Sequence, residues 1–171
     1  MLYRLRQLED SVDRSEFYYQ YAASKIQEQN ERKQSLEVKA RNSIGLSIAL
    51  LGVAGLMVSN FAADIVSRND FSWTIIGLTL VFFLWCIALS LRTLYVYEWH
   101  INPDPLTLQE YVQNPEYTSE DLLEWAASGM LNAYRTNEST LQGKDALLRW
   151  AMAALSFQSA SLGGLMLTVW F

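Results

Sequence analysis

Three stretches of this chain carry no charged residue, and each is long enough to cross a bilayer. The first is the 22-residue run from Asn42 to Ala63, held between Arg41 and Asp64; the second fills the interval between Asp70 and Arg92; the third is everything after Arg149. About 20 apolar residues rising ~1.5 Å each cover the ~30 Å hydrocarbon core of a membrane. Ahead of the first run, residues 2–41 contain neither Pro nor Gly and are dense in Leu, Arg, Gln, Glu, Ala and Lys, all good helix formers. A 3-4 spacing through this arm picks out Leu5, Leu8, Val12, Ser15, Tyr19, Ala22, Ile26, Gln29, Lys33, Leu36 and Ala40. That stripe has polar gaps at Ser15, Gln29 and Lys33, too many for a free-standing coiled coil, so it predicts a helix packed on sister helices or on the 106–141 segment. No breaker separates the arm from the first run, and the two are expected to form one continuous helix.

The runs differ in character. In the first, Gly45, Gly52 and Ser59 recur at seven residues with Ala49 nearby, the small-residue pattern that lets helices approach closely in lipid. The second is bulky, with Phe82, Phe83, Trp85, Ile87 and Leu89, and suits a lipid-facing wall bounded by Trp73 outside and Tyr95, Tyr97 and Trp99 inside. Pro103 and Pro105 then stop the helix. Asp104 as cap starts a short helix through Tyr111, and Thr118 with Asp121 starts another whose apolar face is Leu122, Leu123, Trp125, Ala126, Met130, Leu131 and Tyr134. A kink is expected near Gly143. In the third run, Ser156, Ala160 and Gly164 are spaced by four, with Gln158 and Ser159 beside them as polar groups that lipid would leave unsatisfied.

The expected architecture is thus an all-α membrane protein with three transmembrane helices. An N-terminal cytosolic helix occupies 1–41, spans occupy 42–63, 71–97 and 146–171, and a small cytosolic helical segment occupies 98–145. The three runs leave 106 residues outside them, too few for a separate catalytic domain with its own sizeable core. The opening MLYRLRQLED is charged where a secretory signal needs an apolar stretch, so no cleavable signal is expected. Charge distribution sets the orientation. Of 13 Lys and Arg residues, only Arg68 falls between the first two runs, so the positive-inside rule places the amino terminus and the 92–149 segment in the cytoplasm.

No catalytic constellation emerges. His100 is the one histidine and Cys86 the one cysteine, which leaves no nucleophilic triad and no thiolate or imidazole metal set, and every glycine pair lies inside an apolar run rather than in a phosphate loop. The chain is expected to be no enzyme and to carry no cofactor or metal. Two polar groups are candidates for other work. Arg32, Lys33, Lys39 and Arg41 lie just before the first run, where they either anchor to anionic membrane lipid or, gathered by oligomerisation, form a basic ring for an anionic ligand. Arg135, Lys144 and Arg149 either join them or, for two of the three, flank the last run. Ser156, Gln158 and Ser159 in the third run, or Ser43, Ser47 and Ser59 in the first, are candidate pore-facing groups, with helix packing as the alternative for all of them. Gly45, Gly52, Ala160 and Gly164 are the candidate close-packing positions.

The layout resembles the SLATT class of small bacterial membrane effectors in antiphage defence. The shared features are the long amino-terminal helix, the span hairpin with a very short outer loop and the cytosolic helical return. More narrowly, Tyr134, Asn137 and Lys144 leading into LLRWAMAALSF resemble the three-span effectors of the Hailong type. The resemblance implies a homo-oligomeric ion channel, a tetramer, in the bacterial inner membrane. It would be controlled by an anionic nucleotide or single-stranded DNA ligand made by a partner nucleotidyltransferase, and its opening would depolarise the infected cell. The acid excess of 92–149 argues against phosphate binding in that segment. A non-conducting scaffold that recruits a soluble partner through its cytosolic helices is the alternative.

Overall fold

The computed structural model describes residues 2–60, 70–95, 99–100, 105–114 and 116–170. Side chains are described for 14–60, 73–95, 99, 100, 107, 109–114 and 116–167. Leu5, Leu8 and Val12, most of the 64–70 loop, Tyr97, the Asp104 cap and the ends of the first and third runs lie outside the described residues or side chains. Among the described residues there is helix and no strand. Helix α1 is Leu2–Asn60, α2 is Asp70–Leu94, α3 is Pro105–Gln113 and α4 is Ser119–Trp170.

The arm and the first run form one 59-residue helix, as the absence of a breaker requires. Helix α4 likewise continues through Gly143 as one 52-residue helix. A lone glycine costs a helix only about 1 kcal/mol relative to alanine, which the neighbouring turns of a long helix absorb. Helix α3 extends past Tyr111 to Gln113 before Asn114 turns the chain: the Asn114 side chain accepts from Glu116 N–H at 3.1 Å, and its carbonyl accepts from Tyr117 N–H at 3.3 Å. Helix α4 then opens on the reciprocal cap foreseen at Thr118. Asp121 Oδ2 accepts from the Thr118 amide (2.9 Å) and hydroxyl (2.6 Å), and Thr118 Oγ1 accepts from the Asp121 amide (3.2 Å). Tyr111 stacks on Trp125 at 4.6 Å and tilts against Tyr117 at 4.9 Å, closing the α3–α4 corner.

The chain divides into two compact units. The first comprises Met1–Lys33 and Val96–Gln142, the second Gln34–Tyr95 and Gly143–Phe171. In the first, α1 and α4 run side by side in the same direction, Gln29 reaching Tyr134 and Glu138 and Arg32 reaching Glu138. Most buried positions are small or polar, Ser15, Ala22 and Gln29 from α1 and Ala126, Ala127, Ala133 and Asn137 from α4, with Leu141 of α4 the large apolar side chain among them. Small side chains let two helix backbones approach closely but bury little apolar area, so polar pairing carries much of the specificity here.

In the second unit α1 and α4 are again parallel, with Glu37 against Lys144, Ser43 against Met152 and Ser47 against Gln158. Helix α2 runs the opposite way between them: Cys86 lies at Ser43, Ile75 clusters with Ala54, and Phe82 stacks on Phe157 at 5.2 Å. Ala54, Ile75, Leu162 and Leu165 form one apolar cluster, and Cys86, Ala154 and Leu155 form another. Many other large apolar side chains are exposed, among them Leu46, Val53, Leu56, Leu80, Val81, Leu84, Trp85 and Phe157. Only 11% of the most apolar window of α1 and 22% of that of α2 is buried within the chain, and both helices are long and apolar enough to cross a membrane. Over its described residues helix α4 does not reach the same apolarity, Gln158 and its serines diluting the run.

The 3-4 stripe read from the arm is the buried line of α1. Ser15, Ala22, Gln29, Leu36 and Ala40 are buried, Tyr19, Ile26 and Lys33 half-buried, and the same phase continues through Ser43, Ser47, Leu50, Ala54 and Met57. The polar gaps are therefore contact positions.

The cap at the head of α4 gives a testable expectation. Thr118→Ala removes a hydroxyl bonded in both directions and should weaken the first turns of α4 by about 1 kcal/mol, seen as roughly fivefold faster amide hydrogen exchange there. Hydrogen bonds donated by the Thr118 hydroxyl, and next by its amide, hold the Asp121 carboxyl below the usual carboxylate range. A depressed folded-state pKa contributes stability that is present above the unfolded value and lost as pH falls through the folded one. The difference between Thr118→Ala and wild type should thus shrink below about pH 4.

Candidate functional site

Three segments meet in the first unit around a cluster of polar and aromatic side chains. Helix α1 supplies Gln29, Arg32 and Lys33, which the i, i+3 and i, i+4 spacing places on neighbouring lines of one helix. Helix α4 supplies Tyr134, Asn137 and Glu138, and the stretch after α2 supplies Trp99 and His100. Gln29 is 1% exposed, and its Nε2 donates to the Tyr134 carbonyl at 2.8 Å and to Glu138 Oε2 at 3.2 Å. Its Oε1 accepts nothing, an omission that costs a buried acceptor about 1–3 kcal/mol. Arg32 Nη1 lies 3.4 Å from both oxygens of Glu138. Lys33 Nζ sits 4.5 Å from the centre of the Trp99 ring, a cation–π distance.

Asn137 holds the stretch after α2 in place. Buried to 1%, it accepts from His100 N–H at 3.0 Å and donates to the His100 carbonyl at 2.9 Å, satisfying both backbone groups of a residue outside any helix. The His100 side chain remains exposed. Two adjacent cations of α1 thus lie beside an indole face and one carboxylate, with their surroundings fixed by two buried amides. The arrangement can hold an anion; among the described residues, no three His, Cys, Asp or Glu side chains gather to hold a metal.

The second unit has its own polar seam. Lys144 Nζ is 3.4 Å from Glu37 Oε1, with the lysine side chain 2% exposed. Lys144 is thus neither a free flank of the last run nor open to a ligand in this structure. Ser47 Oγ donates to Gln158 Oε1 at 2.6 Å, and Gln158 Nε2 donates back to the Ser47 carbonyl at 3.0 Å. Ser43 bonds the Lys39 carbonyl at 2.9 Å and Met152 Sδ at 3.2 Å. From α2, Thr79 and Thr93 bond back to their own helix while Ser90 Oγ is buried without a partner.

Of the candidate basic group, Arg32 and Lys33 belong to the cluster in the first unit, whereas Lys39 and Arg41 are exposed in the second. At about 100° per residue Arg32 and Lys39 share a face of α1, and Arg41 points nearly opposite to Lys39, so one helix does not present all four to a single ligand. Of the candidate pore-facing groups, Ser43, Ser47 and Gln158 are buried within the chain. Ser59, Ser156 and Ser159 are exposed, each bonded back to its own helix at 2.9–3.0 Å. Gly45, Gly52 and Ala160 are exposed, with nothing of this chain within 4 Å of a Cβ at either glycine. A Cβ at Gly164 would meet Ile75 at 3.9 Å.

Sequence reasoning passed over Glu37 and Glu138, the two carboxylates that organise these seams. Among the described residues the protein is all-helical, with two helices long and apolar enough to cross a membrane. No known protein family, curated protein or solved structure matches the chain.

The Lys144–Glu37 pair yields a second expectation. Removing one partner of a buried pair leaves an uncompensated charge and costs about 3–5 kcal/mol, while replacing both with apolar side chains is often neutral. Glu37→Gln alone should lower the melting temperature of the detergent-solubilised protein sharply, and Glu37→Leu with Lys144→Met should recover most of the loss.

Proposed function

We propose that the protein is a homo-oligomeric, three-span membrane effector whose copies together enclose an ion path, opened or closed by an anionic nucleotide or oligonucleotide. In this reading the carboxyl-terminal half of α4 crosses the bilayer alongside α1, the amino terminus is cytoplasmic, and channel opening depolarises the cell as an antiphage response. The observation that carries it is the inversion of the second unit. It buries Ser43, Ser47, Thr79, Lys144 and Gln158 beside a limited set of leucines and Ile75, while many of its large apolar side chains, Leu46, Leu56, Leu84, Trp85 and Phe157 among them, are exposed, an arrangement that suits lipid better than water. A third crossing by α4 is supported by its parallel course beside α1 and by the pairing of Gln158 within the chain, which removes the main cost of placing that run in lipid.

Ser43, Ser47 and Gln158 are consumed by contacts inside one copy, so the hydroxyls left for an axis between copies are Ser156 and Ser159 of α4 and Ser59 of α1. Pairing of cations with phosphate in the first unit provides the ligand input. Such a ligand shifts the gate only through different affinities for the two states.

Conductance of the purified protein in planar bilayers tests this, with and without an oligonucleotide added to the cytoplasmic side. Discrete conductance that the oligonucleotide alters, and that Ser156→Leu with Ser159→Leu reduces by tenfold or more, is the expected result. Silent bilayers from oligomeric protein, together with a soluble partner retained at fixed stoichiometry, would favour the adaptor reading.

A further inference from the structure

We propose that Glu138 is the built-in counter-ion of an anion site formed by Arg32 and Lys33, occupying it until a phosphate-bearing ligand displaces the carboxylate. This rests on the reading that an anionic ligand acts on the protein, and adds to it both the site and its competitor. Glu138 differs from an ordinary surface partner because it is positioned. One of its oxygens accepts from the Gln29 amide, and that amide is nine-tenths or more buried and fixed in turn by the Tyr134 carbonyl. The carboxylate is therefore held where both of its oxygens reach Arg32 at 3.4 Å. That geometry places two anionic oxygens against one guanidinium, as a phosphate would.

The contact is long and half-open to solvent, with Arg32 48% and Glu138 26% exposed. Ion pairs of this kind contribute little, so a polyphosphate that brings several oxygens outcompetes the carboxylate. Lys33 lies on the adjacent line of α1, its ammonium held by the Trp99 face and carrying no carboxylate contact within 4 Å among the described residues. It supplies a second charge for the incoming anion. Displaced, Glu138 gives up both Arg32 and the Gln29 amide that held it there, and the loss of these two cross-helix bonds falls on the α1–α4 contact of this unit. Ligand binding then changes that contact without any other part moving first.

Isothermal titration of inorganic tripolyphosphate into the full-length protein in detergent tests the site without reference to conductance. Glu138→Gln keeps an acceptor for Gln29 and removes the charge; it should bind about fivefold tighter than wild type. Glu31→Gln makes the same change in net charge on an exposed residue of α1 that contacts Gln27, and should alter binding less than twofold. Arg32→Gln should weaken binding about tenfold, and in that background Glu138→Gln should gain no more than Glu31→Gln does. Equal binding by wild type and Glu138→Gln, a gain matched by Glu31→Gln, a gain that persists without Arg32, or no binding by any variant would each overturn the proposal. A protein that binds as expected but is silent in bilayers leaves this site standing and removes the channel reading.

Discussion

The helix pair α1 and α4 depends on polar contacts to fix its register. In both units the two helices lie parallel, and the side chains they bury are mainly alanine, serine and other small groups. Alanine against alanine packs closely in many registers, because one small side chain fits a groove about as well as the next. A glutamine that must meet a particular carbonyl, or a lysine that must meet a particular carboxylate, has one satisfactory position. Gln29 with Tyr134 and Glu138 supplies that constraint in the first unit; Glu37 with Lys144 and Ser47 with Gln158 supply it in the second. Buried polar groups used for register are the best-attested role of such contacts, as with single polar positions in coiled coils.

The same logic explains why the second unit tolerates large apolar side chains on its outside. In a bilayer there is no hydrophobic gain from burying leucine against leucine, since lipid is as apolar as the helix it would leave. Close packing and hydrogen bonds remain as the forces that join helices. A seam of Ala40, Ser43, Ser47, Ala151, Ala154 and Gln158 offers both, while Leu80, Leu84 and Trp85 of α2 are left for the surroundings. The apolar clusters around Ala54 and Leu165 add dispersion contacts at one end.

Much of the helical framework was legible in the chain. The absence of breakers gave α1, the Thr118–Asp121 spacing gave the head of α4, and the 3-4 stripe gave the buried line of α1. The stripe was undervalued for a physical reason. A scan for apolar periodicity treats Gln29 as a defect, whereas a buried amide with partners on a facing helix strengthens the contact, and the partners lie more than 100 residues away. Of the candidate site, Arg32 and Lys33 stood out by charge, but Glu138 and Glu37 could not, because an acidic residue on an exposed-looking helix gives no sign of its distant cation.

Polar residues in an apolar run serve either the fold of one copy or something outside that copy, and only a structure separates the two uses. Gln158 illustrates the first. Each end of its amide bonds Ser47 and the side chain is fully buried, so it contributes cohesion within one copy and is shut off from the outside unless the helices part. Ser156 and Ser159 make no such bond to a facing helix of this chain. Each hydroxyl donates to its own helix one turn back, which leaves its lone pairs directed away from the chain on an exposed face. A hydroxyl in that state tolerates lipid, tolerates a neighbouring helix and can also accept from water, at little cost in any of the three. Such residues therefore permit a weakly selective aqueous contact without enforcing one. Gating in a protein built this way would have to come from movement of the α1–α4 pair, whose polar seams set its register.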